Sequence, residues 1–436
     1  MQLIKNYFLK ISLLLDSSLG AINFKTAIQL SLLKALGVVS SIIVIAVIIR
    51  ELEVKNVGVY FLVFALAKIF SLIFSLGSFA SIIPMHSSSN SDDVYHIVSL
   101  SIISSFIMAF LTIASINAIF FALPENISVS YWYIPYSSFL GAALIVQTNL
   151  FHIFSAKSQL IHATLLQEGT GRNIVMLCLV SFLMIFDDSL LGLRSIFTFS
   201  ILASFILIFY GLINIKFYVN IFNTPKSLIL KFFKLGFNFA PSTFLSNGSS
   251  HIIEILITFL FGPVTLAAIA IANRVCEAFL FFTHMINLYF VKASKIYFDG
   301  KLQDLNVLYK KCIAASFSSV LLIIFIFMLF GVPLANNLLR IDEIENAYFA
   351  IKLMFISTIG QSIAIFSLTL FRNIGRYKFV TALDSLNLIL AILFLSIGFF
   401  YDDAMIAIAI IVVLRLIRQV ISVAYFSYFL GHSRDY

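Results

Sequence analysis

Charge is what this chain has least of. Only 11% of its 436 residues are Asp, Glu, Lys or Arg, where a soluble domain carries roughly 25%. Hydrophobic residues reach 61%. A water-soluble fold of this size cannot hide so much apolar surface, because it still needs a polar exterior. Cysteine is scarce as well. Cys178, Cys276 and Cys312 fall in or at the edge of apolar segments, lack metal-ligand spacing and leave no pair for an oxidising loop, so they read as packing residues. No stretch is long and polar enough for a folded aqueous domain, which argues against an enzyme acting on sugar nucleotides. No cleavable signal peptide is expected, since the first long apolar run begins near Ala27 and lacks a small-residue cleavage site. Neither a cofactor nor a metal site is expected.

What is present is a series of apolar runs, each long enough to cross about 30 Å of hydrocarbon as a helix. They predict an all-α polytopic membrane protein of about 12 transmembrane helices, in two six-helix bundles around a central cavity. The expected spans are 27–49, 57–83, 94–122, 134–152, 173–186, 193–217, 235–260, 265–290, 312–332, 348–371, 379–400 and 405–430. The fifth is short unless it begins near Leu165, which would draw Glu168 and Arg172 into the membrane. Residues 1–26, with Lys5, Lys10 and Lys25, read as an amphipathic lead on the cytoplasmic face. The domains are then that lead, an N-terminal bundle over 27–217, a cytoplasmic linker over 218–234 and a C-terminal bundle over 235–430.

The net charge of +8 reports topology here, not nucleic-acid binding. With both termini inside, the outer loops hold few basic residues, Arg50, Lys55 and Arg340, with Arg194 at the edge of another. The inverted arrangement would put Lys226, Lys231, Lys234, Arg372, Arg376 and Lys378 outside, against the positive-inside rule. The halves also look related. "GVYFLVFALAKIF" (58–70) lies against "AAIAIANRVCEAF" (267–279) with matching turn position, and Lys68 falls on Glu277. Both halves start inside with an even number of spans, so the repeat is parallel.

Lys34, Lys68, Glu254, Arg274, Glu277, Lys352, Asp384, Arg415 and Arg418 fall within spans. A charge at the bilayer centre costs about 2.5–3.5 kcal/mol, so such residues normally face protein or a wet cavity. Spans 1, 2, 7 and 8 carry most of them, and each has a polar stripe at helical spacing. Span 1 has Ser31, Lys34, Gly37 and Ser41; span 2 has Lys68, Ser71, Ser75 and Ser78. Span 7 has Thr243, Asn247, Ser250 and Glu254, and span 8 has Arg274, Glu277 and His284. Four such stripes predict a water-filled cavity between the halves, although small and hydroxyl residues also serve as glue between helices in lipid. Asp384 and Arg418 sit at depths that suit a structural ion pair, which Arg415 could share. Lys352, near a span end, suits snorkelling. His86, His96, His152 and His162 lie near span ends and read as interfacial.

Two stretches carry a family resemblance. "VIIRELEVKNVGVYFLVFALAKIFSLIFSLG" (47–77) is similar to the span–turn–span of the polysaccharide transport family, with Gly-x-Tyr after an acidic turn. "LITFLFGPVTLAAIAIANRVCEAF" (256–279) resembles the equivalent turn, with Arg274 at the family's arginine position and Ala267-Ala268-Ile269 where the family often has Gly-x-Tyr. That family comprises the Wzx-type flippases of O-antigen and related surface glycans. It shares a superfamily with multidrug antiporters and the peptidoglycan-precursor flippase. The resemblance implies a flippase in a bacterial inner membrane, moving an undecaprenyl-diphosphate-linked oligosaccharide to the periplasmic leaflet by alternating access. It implies membrane lipids, a glycan polymerase and a chain-length regulator as partners. Lys34, Lys68 and Arg274 could pair with the diphosphate, with Ser31, Ser41, Ser71, Ser75, Thr243, Asn247 and Ser250 lining the path. Glu254 or Glu277 could bind a coupling proton or sodium ion. A multidrug or metabolite antiporter of the same superfamily and a membrane-embedded glycan polymerase remain the competing readings.

Overall fold

The computed structural model describes residues 24–88, 91–122, 131–167, 169–186, 192–215, 224–280, 299–327, 346–373, 377–400 and 404–432, with the isolated positions 293, 296 and 297. Among the described residues there are thirteen α-helices. Helices are what a bilayer demands of such a chain, since each backbone N–H and C=O there must find its partner within the segment. The first eight are α1 (Phe24–Glu51), α2 (Val54–Ser75), α3 (Ser78–Ser88), α4 (Ser91–Ala122), α5 (Ile134–Ala156), α6 (Leu160–Leu166), α7 (Gly171–Phe186) and α8 (Leu193–Asn214). The remainder are α9 (Lys226–Phe279), α10 (Leu302–Ile326), α11 (Ala347–Asn373), α12 (Tyr377–Phe399) and α13 (Ala404–His432). The amphipathic lead expected over 1–26 lies outside the described residues up to position 23, and α1 already begins at Phe24.

Ten of these helices are long and apolar enough to cross a membrane. Two further crossings are hidden by breaks. α9 has 54 residues; unbroken it would be about 80 Å long, far more than a bilayer needs. Gly262, at φ 84° and ψ 168°, divides it into two arms, and Pro263 opens the second with a φ already suited to a helix start. The expected seventh span and the first part of the eighth fall on these arms; the rest of the eighth, 281–290, lies outside the described residues. The short fifth span is also resolved: α6 and α7 bend by 55° across a short break and together pass as one span. The span expected over 57–83 is not one helix. Leu76 (φ 47°) and Gly77 (φ 70°) adopt left-handed backbone and separate α2 from α3. Helices also reach into segments expected to be loop, α9 starting at Lys226 and α10 at Leu302.

Apolar side chains face outward as well as inward. Phe110, Ile185 and Phe400 are 70%, 80% and 84% exposed, which suits a lipid-facing surface and would be costly in water. Inside, one cluster packs Phe79, Ile97, Leu150, Phe154 and Phe232 in the N-terminal half, and another packs Tyr309, Phe366, Phe371, Phe426 and Phe429 in the C-terminal half. A third joins the halves, setting Val57, Phe61 and Phe64 of α2 with Leu266, Ile269 and Ile271 of α9.

α2 and the first arm of α9 form the seam between the halves, running antiparallel. At one end a Cβ on Gly58 would overlap the Pro263 carbonyl; midway Gly248 meets Leu72 and Ile69; at the other end a Cβ on Gly77 would overlap the Gly236 carbonyl. In lipid, small residues of this kind let helix backbones approach where no hydrophobic force drives them together. The first contact unites the two stretches that resemble each other, since α2 begins just before Gly58 and the second arm of α9 begins at Pro263. Gly58→Ala should therefore overpack the seam and destabilise the protein by about 1–3 kcal/mol, read as a lower thermal midpoint in detergent. Gly398→Ala, where a Cβ meets only ordinary van der Waals contacts, should stay within about 0.5 kcal/mol.

Candidate functional site

Two chambers flank the seam. The first, about 720 Å³, is walled by Lys34, Ser41, Lys68, Ser71, Ser75, Thr148, His152, Thr170, Arg172, Asn173, Asn247, Ser250 and Arg274, among others. The second, about 430 Å³, lies toward the C-terminal half and is walled by Lys68, Ser249, Ser250, His251, Glu254, Asn273, Arg274, Ser357, Thr358, Gln361, Arg415, Arg418 and Gln419, among others. Lys68, Ser246, Ser250, His251, Arg274 and Gln361 line both, so the chambers meet there.

Most of the expected cavity residues thus converge: Lys34, Ser41, Lys68, Ser71, Ser75, Asn247, Ser250, Glu254 and Arg274 each line a chamber. Thr243 departs from the expectation. It sits half-buried on α9, one turn before Ser246 and Asn247, and belongs to neither wall. The side chains of Ser31 and Glu277 lie outside the described residues. Ser71 and Ser75 are buried and donate their hydroxyl hydrogens back to the carbonyls of Lys68 (2.8 Å) and Leu72 (3.2 Å). They contribute lone pairs to the wall, not hydrogens.

Arg172 was flagged by the sequence only as a residue the fifth span might swallow. The structure buries it to 4% exposure at the start of α7, where the break from α6 sets it beside the Phe64 ring, 4.4 Å from its centroid. The break is held by side chains standing in for lost helix bonds: Gln147 Nε2 donates to Leu166 O (2.9 Å) and Asn173 Nδ2 to Gly169 O (2.8 Å). Arg172, Lys68 and Arg274 lie within electrostatic reach of one another. The pattern Gly169-Thr170-Gly171 beside an unusually short span was the available signal.

Around the second chamber, His251 Nδ1 lies 2.8 Å from Glu254 Oε2. Their i, i+3 spacing was legible, but His251 was not singled out. Arg415 Nη1 donates to Asn273 Oδ1 at 2.8 Å and approaches the Met354 sulfur at 3.3 Å. Asp384, fully buried, takes Arg418 at 2.6 Å, the expected ion pair linking α12 to α13. His152, expected at an interface, instead lines the first chamber and stacks on Phe79, the ring centroids 5.2 Å apart. Lys352 is exposed, its Nζ 4.2 Å from the Tyr348 ring centroid, as suits a snorkelling lysine. Among the described residues no group of three His, Cys, Asp or Glu could hold a metal ion.

Breaking the Asp384–Arg418 pair should be far worse than removing it whole. Arg418→Met leaves a buried carboxylate behind and should cost about 3–5 kcal/mol, whereas Asp384→Leu with Arg418→Met should recover most of that loss. Thermal unfolding of the two proteins in the same detergent checks the difference.

No protein-family model matches the chain, and no curated protein matches it in sequence. Solved structures do. An outward-facing multidrug resistance MATE family transporter of the MOP superfamily superposes with a TM-score of 0.67 at 13% identity, over 93% of this chain and 96% of the other. Its inward-facing conformation gives 0.60 at 13%, over 95% and 97%. A MOP superfamily transporter from Pyrococcus furiosus, described as having a binding pocket of reverse polarity that suggests a different function, gives 0.66 at 14%, over 94% and 96%. At such identities the likeness is one of fold. This multi-pass membrane protein has the two-bundle fold of MOP superfamily transporters, along nearly its whole length.

Proposed function

We propose that the chain is a flippase for an undecaprenyl-diphosphate-linked oligosaccharide, working by alternating access in a bacterial inner membrane with both termini cytoplasmic. The observation that carries this reading is the polarity of the chambers. Lys34, Lys68, Arg172, Arg274, Arg415 and Arg418 line them, and Glu254 is the one carboxylate among the described lining residues. Cations facing enclosed space favour an anionic cargo, and diphosphate oxygens accept charge-assisted hydrogen bonds from Lys and Arg. A glycan also needs such a hydrated path, since each hydroxyl stripped of its partners in hydrocarbon costs several kcal/mol. An inside-negative membrane would drive an anion outward by roughly 2.3 kcal/mol per charge per 100 mV.

Transport of drugs or other metabolites is the second reading, favoured by the multidrug transporters that share the fold. A pocket for cationic drugs would be expected to carry the opposite polarity. The two readings separate genetically. Deleting the gene should abolish surface glycan and leave lipid-linked repeat units on the inner leaflet. Lys68→Ala and Arg274→Ala, each shown to reach the membrane, should fail to restore it. In purified protein, each should weaken undecaprenyl diphosphate binding roughly 10- to 100-fold, the size of a charged hydrogen bond. Repeat units stranded on the outer leaflet would instead mark a polymerase, and unaltered surface glycan would point to drug or metabolite transport.

Glu254 and His251 form the pair best suited to carry a coupling proton, because each can pass it to the other across 2.8 Å. Glu254→Gln should uncouple transport in proteoliposomes from an imposed pH gradient. Transport that still follows the gradient would show that the pair is only structural.

A further inference from the structure

Three histidines of this chain give Nδ1 an oxygen. His96 Nδ1 lies 3.2 Å from Thr224 Oγ1, His162 Nδ1 2.7 Å from the Tyr210 hydroxyl and His251 Nδ1 2.8 Å from Glu254 Oε2. His152, near the end of α5, departs from this pattern. Its Nδ1 is buried and has no hydrogen-bond partner among the described residues. A buried polar atom without a partner is uncommon in a folded protein and calls for an explanation.

Two phenyl rings hold the imidazole. Phe79 lies nearly parallel to it, with ring centroids 5.2 Å apart and planes 21° from each other. Phe151 meets it edge-on at 5.0 Å and 75°. Phe79 reaches this position because left-handed backbone at Leu76 and Gly77 ends α2, and α3 starts afresh at Ser78. All three rings line the first chamber. His152 is only half-buried as a whole. With Nδ1 shut away, its place in the wall falls to the rest of the ring, which carries Nε2. A neutral imidazole has one N–H, and the partner of one nitrogen decides where that hydrogen sits. No acceptor holds it at Nδ1, so Nε2–H is the form that can serve a ligand. A phenylalanine would fill the slot between the two rings and strand no nitrogen, so packing alone does not account for an imidazole here.

The neighbours decide which acceptor suits that hydrogen. Lys34, Lys68, Arg172 and Arg274 line the same chamber, and no Asp or Glu is among its described lining residues. Such a wall draws an oxyanion, to which an N–H makes a charge-assisted hydrogen bond. A neutral donor adds that bond without adding another positive charge to the four. We propose that His152 is a binding residue for the cargo's diphosphate, donating from Nε2 to a phosphate oxygen in the first chamber. This rests on the flippase reading above and adds to it an uncharged contact among the cationic ones.

The test measures binding of undecaprenyl diphosphate to the purified full-length chain in detergent. His152→Phe keeps a ring between Phe79 and Phe151 and removes the N–H. It should weaken binding roughly tenfold, the size of one hydrogen bond to a charged group, at an unchanged thermal midpoint. His152→Gln carries an amide N–H out to about the reach of Nε2 and should stay within about threefold of the wild type. A His152→Phe protein that binds as tightly as the wild type would overturn the assignment and leave the flippase reading intact. So would a His152→Gln protein that loses as much as His152→Phe, or a loss in both variants matched by a lowered thermal midpoint, which would return the ring to a packing role. A wild type that does not bind the probe would sink the flippase reading and this contact with it.

Discussion

A bilayer offers no water to a stranded polar group, and the architecture of this chain follows from that constraint. Each buried polar side chain must find a protein partner or a cavity. Ser71 and Ser75 turn their hydrogens back onto their own helix. Asp384 takes Arg418, and Arg415 takes Asn273. Arg172 lies against an aromatic face. The chambers gather the rest. Polar groups therefore lie between helices or at the chambers, while Phe110, Ile185 and Phe400 face outward, and this division is what keeps a chain so poor in charge soluble in lipid.

The seam between α2 and α9 gives the chambers their common wall. α9 alone carries Gly236 and Gly248 against α2, Ser250, His251 and Glu254 at the chambers, Gly262 at its break and Arg274 beyond it. Seam and lining are thus one element. A shift of the first arm of α9 along α2 would carry Ser250, His251 and Glu254 with it, so a change at these chamber residues bears on the contact between the halves. Close backbone approach makes such a contact stiff along its length, because interlocked helices exchange one packing for another and do not deform continuously. The same fold is known in outward-facing and inward-facing forms, and the glycine contacts are where the two halves of this chain would have to repack.

Much of the fold was legible because hydropathy is a sum over one helix and needs no knowledge of neighbours. Every expected span has a described helix over at least part of its length, and the stripes on Lys34, Ser41, Lys68, Ser71, Ser75, Asn247, Ser250, Glu254 and Arg274 converge as helical periodicity implied. The charged pair of Asp384 and Arg418 was legible for the same reason, since a lone charge in a span calls for a partner at its depth.

The tertiary structure alone decided the rest. Left-handed backbone at Leu76 and Gly77 cuts a run that reads as continuous, since the preference of one or two residues cannot outweigh twenty apolar neighbours in any sequence average. The break between α6 and α7 turns Arg172 from a span-end charge into a chamber residue. Ser357, Thr358, Gln361 and Gln419 are single polar residues in strongly apolar helices, and what makes them a wall is the rotation of α11 and α13 about their axes. That rotation is set by contacts such as Gly360 against Gln419 and Gln419 against Ser357, between residues far apart in the chain. Composition and periodicity determined that this chain crosses a membrane and which faces of its helices are wet. Only packing between helices decided which wet faces meet, because a helix carries its stripe in its sequence but takes its orientation from its neighbours.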